Sequence, residues 1–153
     1  MFIQEFDMAM PIGDDPSRAA DVRAVATLWG GKTTASLDDP ELLRQSLAVT
    51  QSGKDYVSYL VARDKVGHII GAVSMIARGM FIASIDSLGV SPAHQCQGIG
   101  RTLLVTAIDS CFRTPTKAIV ANGQASARPL LESLGFETDE VDSSTNATMY
   151  LYR

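Results

Sequence analysis

The chain has 153 residues, 46% of them hydrophobic and 20% charged, which suits one compact domain, residues 1–153, built around a single core. A net charge of −4 and an isoelectric point near 5.0 exclude the clustered excess of Lys and Arg that a nucleic-acid binder needs. Two cysteines, Cys96 and Cys111, are too few for a disulfide framework or a four-ligand metal site, and no apolar stretch reaches membrane-spanning length.

Met1 to Asp7 reads as a short edge strand. It contains Glu5 and Asp7 and no basic stretch, unlike a signal peptide, so the cytoplasm is the expected compartment. After a Pro/Gly/Asp turn, Asp15 or Ser17 caps a helix whose Ala19, Val22, Val25, Ala26 and Trp29 fall at helical spacing, and Gly30-Gly31 ends it. Gly30-Gly31-Lys32-Thr33 imitates the end of a P-loop. Ala26, however, stands where the first glycine belongs and a helix precedes the string, so it reads as a helix-ending turn. Asp38 or Asp39 caps a second helix, with Pro40 in its first turn and Leu42, Leu43, Leu47 and Val49 as its buried stripe, before Gly53 ends it.

From Tyr56 the period becomes that of strands. Tyr56–Arg63 and Ile69–Ile76 form a hairpin through Asp64-Lys65-Val66-Gly67, and Phe81–Val90 follows a turn at Arg78-Gly79. Ser91-Pro92 ends that strand, Gly98 and Gly100 let the chain turn tightly, and a helix restarts with Ile99, Leu103, Leu104, Ala107, Ile108 and Cys111 on one face until Thr114-Pro115. A strand Lys117–Ala121, a short helix from Ser126 to Leu134 and two strands, Phe136–Val141 and Ala147–Tyr152, complete an α+β layered domain.

Strand, glycine loop and helix together make a socket for phosphate. The first N–H groups of a helix lack carbonyl partners, and the helix dipole adds partial positive charge where they point. The dinucleotide fingerprint is not encoded, because its third glycine position is Leu103. What does match is Gln95-x-x-Gly98-x-Gly100, and this resembles the coenzyme A signature of the GCN5-related N-acetyltransferases, the GNAT family. Gln124 to Phe136, closing on Leu134-Gly135-Phe136, is similar to that family's second motif, and the resemblance runs from Tyr56 to Arg153.

The resemblance implies a central, mostly antiparallel sheet of about seven strands flanked by about four helices, with acetyl-CoA as the acyl donor. It implies that Gln95 and the amides of Cys96, Gln97, Gly98, Ile99, Gly100 and Arg101 hold the diphosphate, with Arg101 adding charge at the rim. Leu88, Gly89 and Val90 would offer backbone groups to the pantetheine arm and the acetyl carbonyl, and Asn122 and Gln124 would supply amide side chains. Asp86, on the same strand, would be the base that takes the proton of an ammonium. It shares strand parity with Leu88 and Val90 unless a bulge changes the facing, while Gly89 suits a bulge or a close backbone approach.

One position departs from the family pattern. Four residues before Gly135, where many members carry a tyrosine acid, stands Leu131. A thiolate can leave without a strong acid, since a thiol's ordinary pKa is about 8.5. Ser126, Tyr150, Tyr152 or water are the substitutes available. The activity so implied is metal-free acetyl transfer, by direct attack, to a primary amine of a small molecule or peptide, with neither nucleic acid nor membrane as partner. A non-catalytic acyl-CoA-binding or sensing module and a protein acetyltransferase are the alternatives. Dimers are frequent among proteins that look like this. Glu137, Asp139, Glu140 and Asp142 form either a solvated face or a steering surface for a polyamine or aminoglycoside.

Overall fold

The computed structural model describes residues 1–30, 38–50, 53, 55–124, 127–138 and 146–153, with the backbone alone for 123, 124, 146 and 147. The elements run β1 (Phe2–Phe6), α1 (Pro16–Leu28), α2 (Pro40–Ala48), β2 (Ser58–Arg63), β3 (Ile69–Ala77), β4 (Ile82–Val90), α3 (Ile99–Phe112), β5 (Ala118–Gln124), α4 (Arg128–Ser133), β6 (Glu137–Thr138) and β7 (Asn146–Tyr152). The strands form one seven-stranded sheet in the order β1-β2-β3-β4-β5-β7-β6. Every neighbouring pair is antiparallel except β4 and β5, which α3 joins as a parallel crossover. This is the expected α+β architecture.

Of the capping alternatives, the aspartate next to the proline serves at both early helices. Asp15 accepts from the amides of Ser17 and Arg18 at 3.0 and 3.2 Å, and Asp39 accepts from that of Leu42 at 3.2 Å. The buried stripe of α2 differs from the expected one, because Leu42 is exposed and Arg44 takes an inward place beside Leu43, Leu47 and Ala48. The cause lies in the turn after β1, whose carbonyls have no strand partner. Arg44 donates to those of Met8 and Ala9 at 2.8 and 3.1 Å, while Arg18 donates to those of Asp7 and Met10.

Strand alternation divides the apolar residues between two cores. Tyr59, Val61 and Ala72 face α1 and α2, with Phe6, Val22, Val25, Trp29 and Leu43. Leu60, Val73, Ile85, Ile119 and Met149 face the other way, onto Leu103 and Leu104 of α3 and Leu131 of α4. β2 and β3 are therefore buried on both sides, which is why they read as near-continuous apolar runs. Beyond β3, the face shared with α1 and α2 turns polar and aromatic, with Asp86, Asn122, Thr148 and Tyr152 exposed.

Candidate active site

The site is built where β4 leaves its neighbours. On the β3 side, Ser87 lies opposite Ser74 and Ile85 opposite Met75, so Asp86 has no partner and forms a β-bulge. The Ser87 amide donates 3.0 Å to the Ser74 hydroxyl. On the β5 side, pairing stops at Ile85 and Ala121, although β4 continues to Val90 and β5, still paired with β7, to Gln124. The two parallel strands fork there. Among the described residues, the only bond to the forked edge of β4 is that from Gln95 Nε2 to the Val90 carbonyl, at 3.2 Å.

The bulge also decides the facing of Asp86. An extra residue resets the alternation, so Leu88 and Val90 pack toward α3 while Asp86 points to the opposite face, close enough for its charge to act on Tyr59. Gly89 is the other half of the expectation, and it serves close approach rather than a bulge. A Cβ there would lie 2.9 Å from the Leu28 carbonyl oxygen and 3.1 Å from Trp29 Cζ3, so only glycine lets the end of α1 rest on β4.

Trp29 stacks on Tyr59 with ring centres 6.4 Å apart, and the Tyr59 hydroxyl donates to the Leu47 carbonyl at 2.6 Å. Burial, opposed in part by Trp29 and reinforced by the Asp86 carboxylate, pushes that hydroxyl well above the ordinary tyrosine value. Tyr59 thus remains a hydrogen-bond donor and cannot serve as a base. It is a wall beside Asp86.

At the far end of the fork, Pro92–His94 makes a single 3-10 turn, and Cys96 and Gly98 both adopt left-handed backbone, at φ +63° and +79°. Gly98 does this at no steric cost, whereas Cys96 does so against its side chain. The first helical amide with a carbonyl partner is that of Thr102, which bonds to Gly98 at 3.0 Å. Among the described residues, the amides of Cys96, Gln97, Gly98, Ile99, Gly100 and Arg101 have no acceptor. Six successive free amides at the start of a 14-residue helix fit a diphosphate.

The side chains of this segment behave differently from its backbone. Ile99 is buried in the core, Gln95 braces the loop through Val90, and Arg101 spans to α4, donating 2.9 Å to the Ser133 hydroxyl. Cys96 and Gln97 are exposed. Asn122 is exposed on the Asp86 face, because β5 runs three residues past its expected end at Ala121. Gln124 ends β5, and its side chain lies outside the described residues, as do Ser126, Asp139, Glu140 and Asp142. Leu131 is 3% exposed, a core residue with no hydroxyl to offer.

A family model described as the acetyltransferase (GNAT) domain matches residues 32–149. The chain belongs to the GNAT acetyltransferase family. The family model is that of an acetyltransferase domain. No curated protein matches it by sequence. Among solved structures, the GNAT fold here is similar to that of the PaiA N-acetyltransferase of Thermoplasma acidophilum in complex with coenzyme A, at TM-score 0.62 and 17% identity, covering 100% of both chains. It is similar to the spermidine/spermine N-acetyltransferase SpeG of Vibrio cholerae at TM-score 0.65 and 18% identity, covering 99% of this chain and 93% of that one. Tetrahymena GCN5 gives TM-score 0.67 and 12% identity, covering 99% and 96%. At such identities the likeness is one of fold.

Two parts of this GNAT site are absent from the sequence reading: Ser74 and the Trp29–Tyr59 wall. Ser74 did leave a signal, as the one hydroxyl in the apolar run Ile69–Ile76.

Proposed function

We propose that the chain, as a single domain over residues 1–153, moves the acetyl group of acetyl-CoA to a primary amine of a small molecule or peptide by direct attack. The observation that carries this reading is the fork of β4 from β5 after Ile85 and Ala121, with Asp86 on one face and six free amides at its end. When bound, acetyl-CoA supplies an acyl carbon open to a neutral amine and a thiolate that leaves without a strong acid. The amides of Cys96 to Arg101 hold the diphosphate, and Gln95 keeps their loop in shape through Val90. Leu88, Gly89 and Val90 pair with β3 but not with β5, and their free edge meets the pantetheine arm and acyl carbonyl.

Asp86 draws the cationic acceptor to the open face and takes its proton, beside Ser84, Asn122 and Tyr150. Tyr150 stacks on Tyr152 with centres 6.2 Å apart and gives that face an apolar floor. With Leu131 in the core, the thiolate takes its proton from solvent or from the Tyr150 hydroxyl. A reducing, cytoplasmic setting suits a chain with an exposed free thiol at Cys96. No helix among the described residues is long and apolar enough to cross a membrane.

The test is thiol release from acetyl-CoA with spermidine, kanamycin and tripeptides bearing a free N-terminus or a lysine. Turnover above hydrolysis on at least one amine is expected. Absence of calorimetric heat with both CoA and acetyl-CoA at millimolar concentration overturns the reading, as does tight binding with no turnover on any of these amines.

A further inference from the structure

We propose that Ser74 is a positioning residue of the acyl-donor site: its buried hydroxyl, by accepting the Ser87 amide, holds open the bulge at Asp86 that parts β4 from β5. The proposal rests on the function proposed above, in which the forked edge of β4 meets the acyl donor.

A bulge disrupts the ladder locally and leaves its extra residue, here Asp86, without a partner. Beside it the Ser87 amide donates to a side chain 1% exposed, in register with Tyr59 on the far side of β3 and beyond the reach of water. The register slips at this same point, since Ser74 faces Ser87 whereas Met75 faces Ile85. Two properties of the site follow from the slip. Asp86 turns onto the face of Tyr59 instead of the core under α3, and the edge from Asp86 to Val90 is freed from β5. Without the hydroxyl the Ser87 amide loses this acceptor and the bulge its brace, and a ladder that regularises carries Asp86 toward the apolar core and closes the fork. The hydroxyl therefore acts on the site through the backbone of β4, and touches neither acceptor nor donor.

The experiment compares Ser74→Ala with Ser74→Thr, which keeps the hydroxyl, by amide hydrogen exchange and by calorimetry with two probes. Acetyl-CoA engages both the forked edge and the loop, whereas adenosine 3′-phosphate 5′-diphosphate engages the loop alone. In Ser74→Ala the Ser87 amide is expected to exchange at least tenfold faster. Acetyl-CoA should bind about tenfold more weakly, while the nucleotide binds within twofold of wild type; Ser74→Thr restores both values. An unchanged Ser87 exchange rate in Ser74→Ala overturns the proposal. So does an equal loss for the two probes, which marks a general core defect. Should the wild-type chain bind no acetyl-CoA, the functional reading fails by itself, and the exchange rate of Ser87 still decides whether Ser74 holds the bulge.

Discussion

Replacing Gly89 by alanine tests the seating of α1 on β4 directly. The added Cβ would meet the Leu28 carbonyl oxygen at 2.9 Å, Trp29 Cζ3 at 3.1 Å and Leu28 Cβ at 3.2 Å. Non-bonded heavy atoms are content near about 3.5 Å, so the end of α1 must retreat by roughly half an ångström. The nearest obstacle is a backbone oxygen backed by the Trp29–Tyr59 stack, not the free tip of a long side chain. Overpacking of this kind costs about 1–3 kcal/mol. Alanine returns about 0.4–1 kcal/mol by restricting the unfolded chain, leaving a net loss of about 1–2 kcal/mol. For a domain of this size that lowers the melting midpoint by roughly 2–8 °C. Thermal unfolding followed by circular dichroism measures it, with Gly89→Val expected to melt lower still. An alanine variant that melts at or above wild type would refute the close approach of α1 to β4, and with it the wall we place beside Asp86.

Asp86→Asn keeps the shape of the bulge and removes the charge, so turnover on the best amine should fall by about 100-fold while acetyl-CoA affinity, measured by calorimetry, stays within about threefold. Arg44→Ala strands the Met8 and Ala9 carbonyls, which the guanidinium now reaches at 2.8 and 3.1 Å. A loss of about 2–4 kcal/mol, or roughly 5–15 °C in melting midpoint, should appear in thermal unfolding. Burial pushes the Cys111 thiol above its usual value, whereas Cys96 is exposed. Ellman's reagent at mildly alkaline pH should therefore titrate one thiol in the folded chain and two in guanidinium, Cys96 being the one lost on Cys96→Ser. Because the folded chain binds the Cys111 proton more tightly, that contribution to stability is whole below the unfolded thiol's pKa. It is lost as pH rises toward the folded value, so denaturation midpoints should decline over that alkaline range.

What the sequence made legible was local in origin. Short apolar runs punctuated by turns from Tyr56 to Val90, a glycine-bearing loop at 95–100 and a helical stripe from Ile99 to Cys111 each declare themselves within a few residues, and the structure follows them closely. The parts that escaped depend on what lies across the sheet. Arg44 turns inward and Leu42 outward because distant carbonyls at Met8 and Ala9 need donors, a demand invisible in the periodicity of α2. Asn122-Gly123 resembles a turn, yet pairing with Thr148 and Ala147 carries β5 through it.

The bulge is the deepest case, since nothing within β4 marks Asp86 as the extra residue. The mark lies on β3, as a buried hydroxyl opposite Ser87, and it becomes readable only once register is known. The glycine motif can tell that a diphosphate has somewhere to sit. Which face receives the carboxylate, and whether the strand edge is free to meet a thioester, depend on a one-residue slip between neighbouring strands. A chain carrying the same loop without an acceptor at the position of Ser74 would have to build its fork another way. The loop motif and the face that carries Asp86 are thus separately encoded, the first by glycines in sequence and the second by register and a hydrogen bond across the ladder.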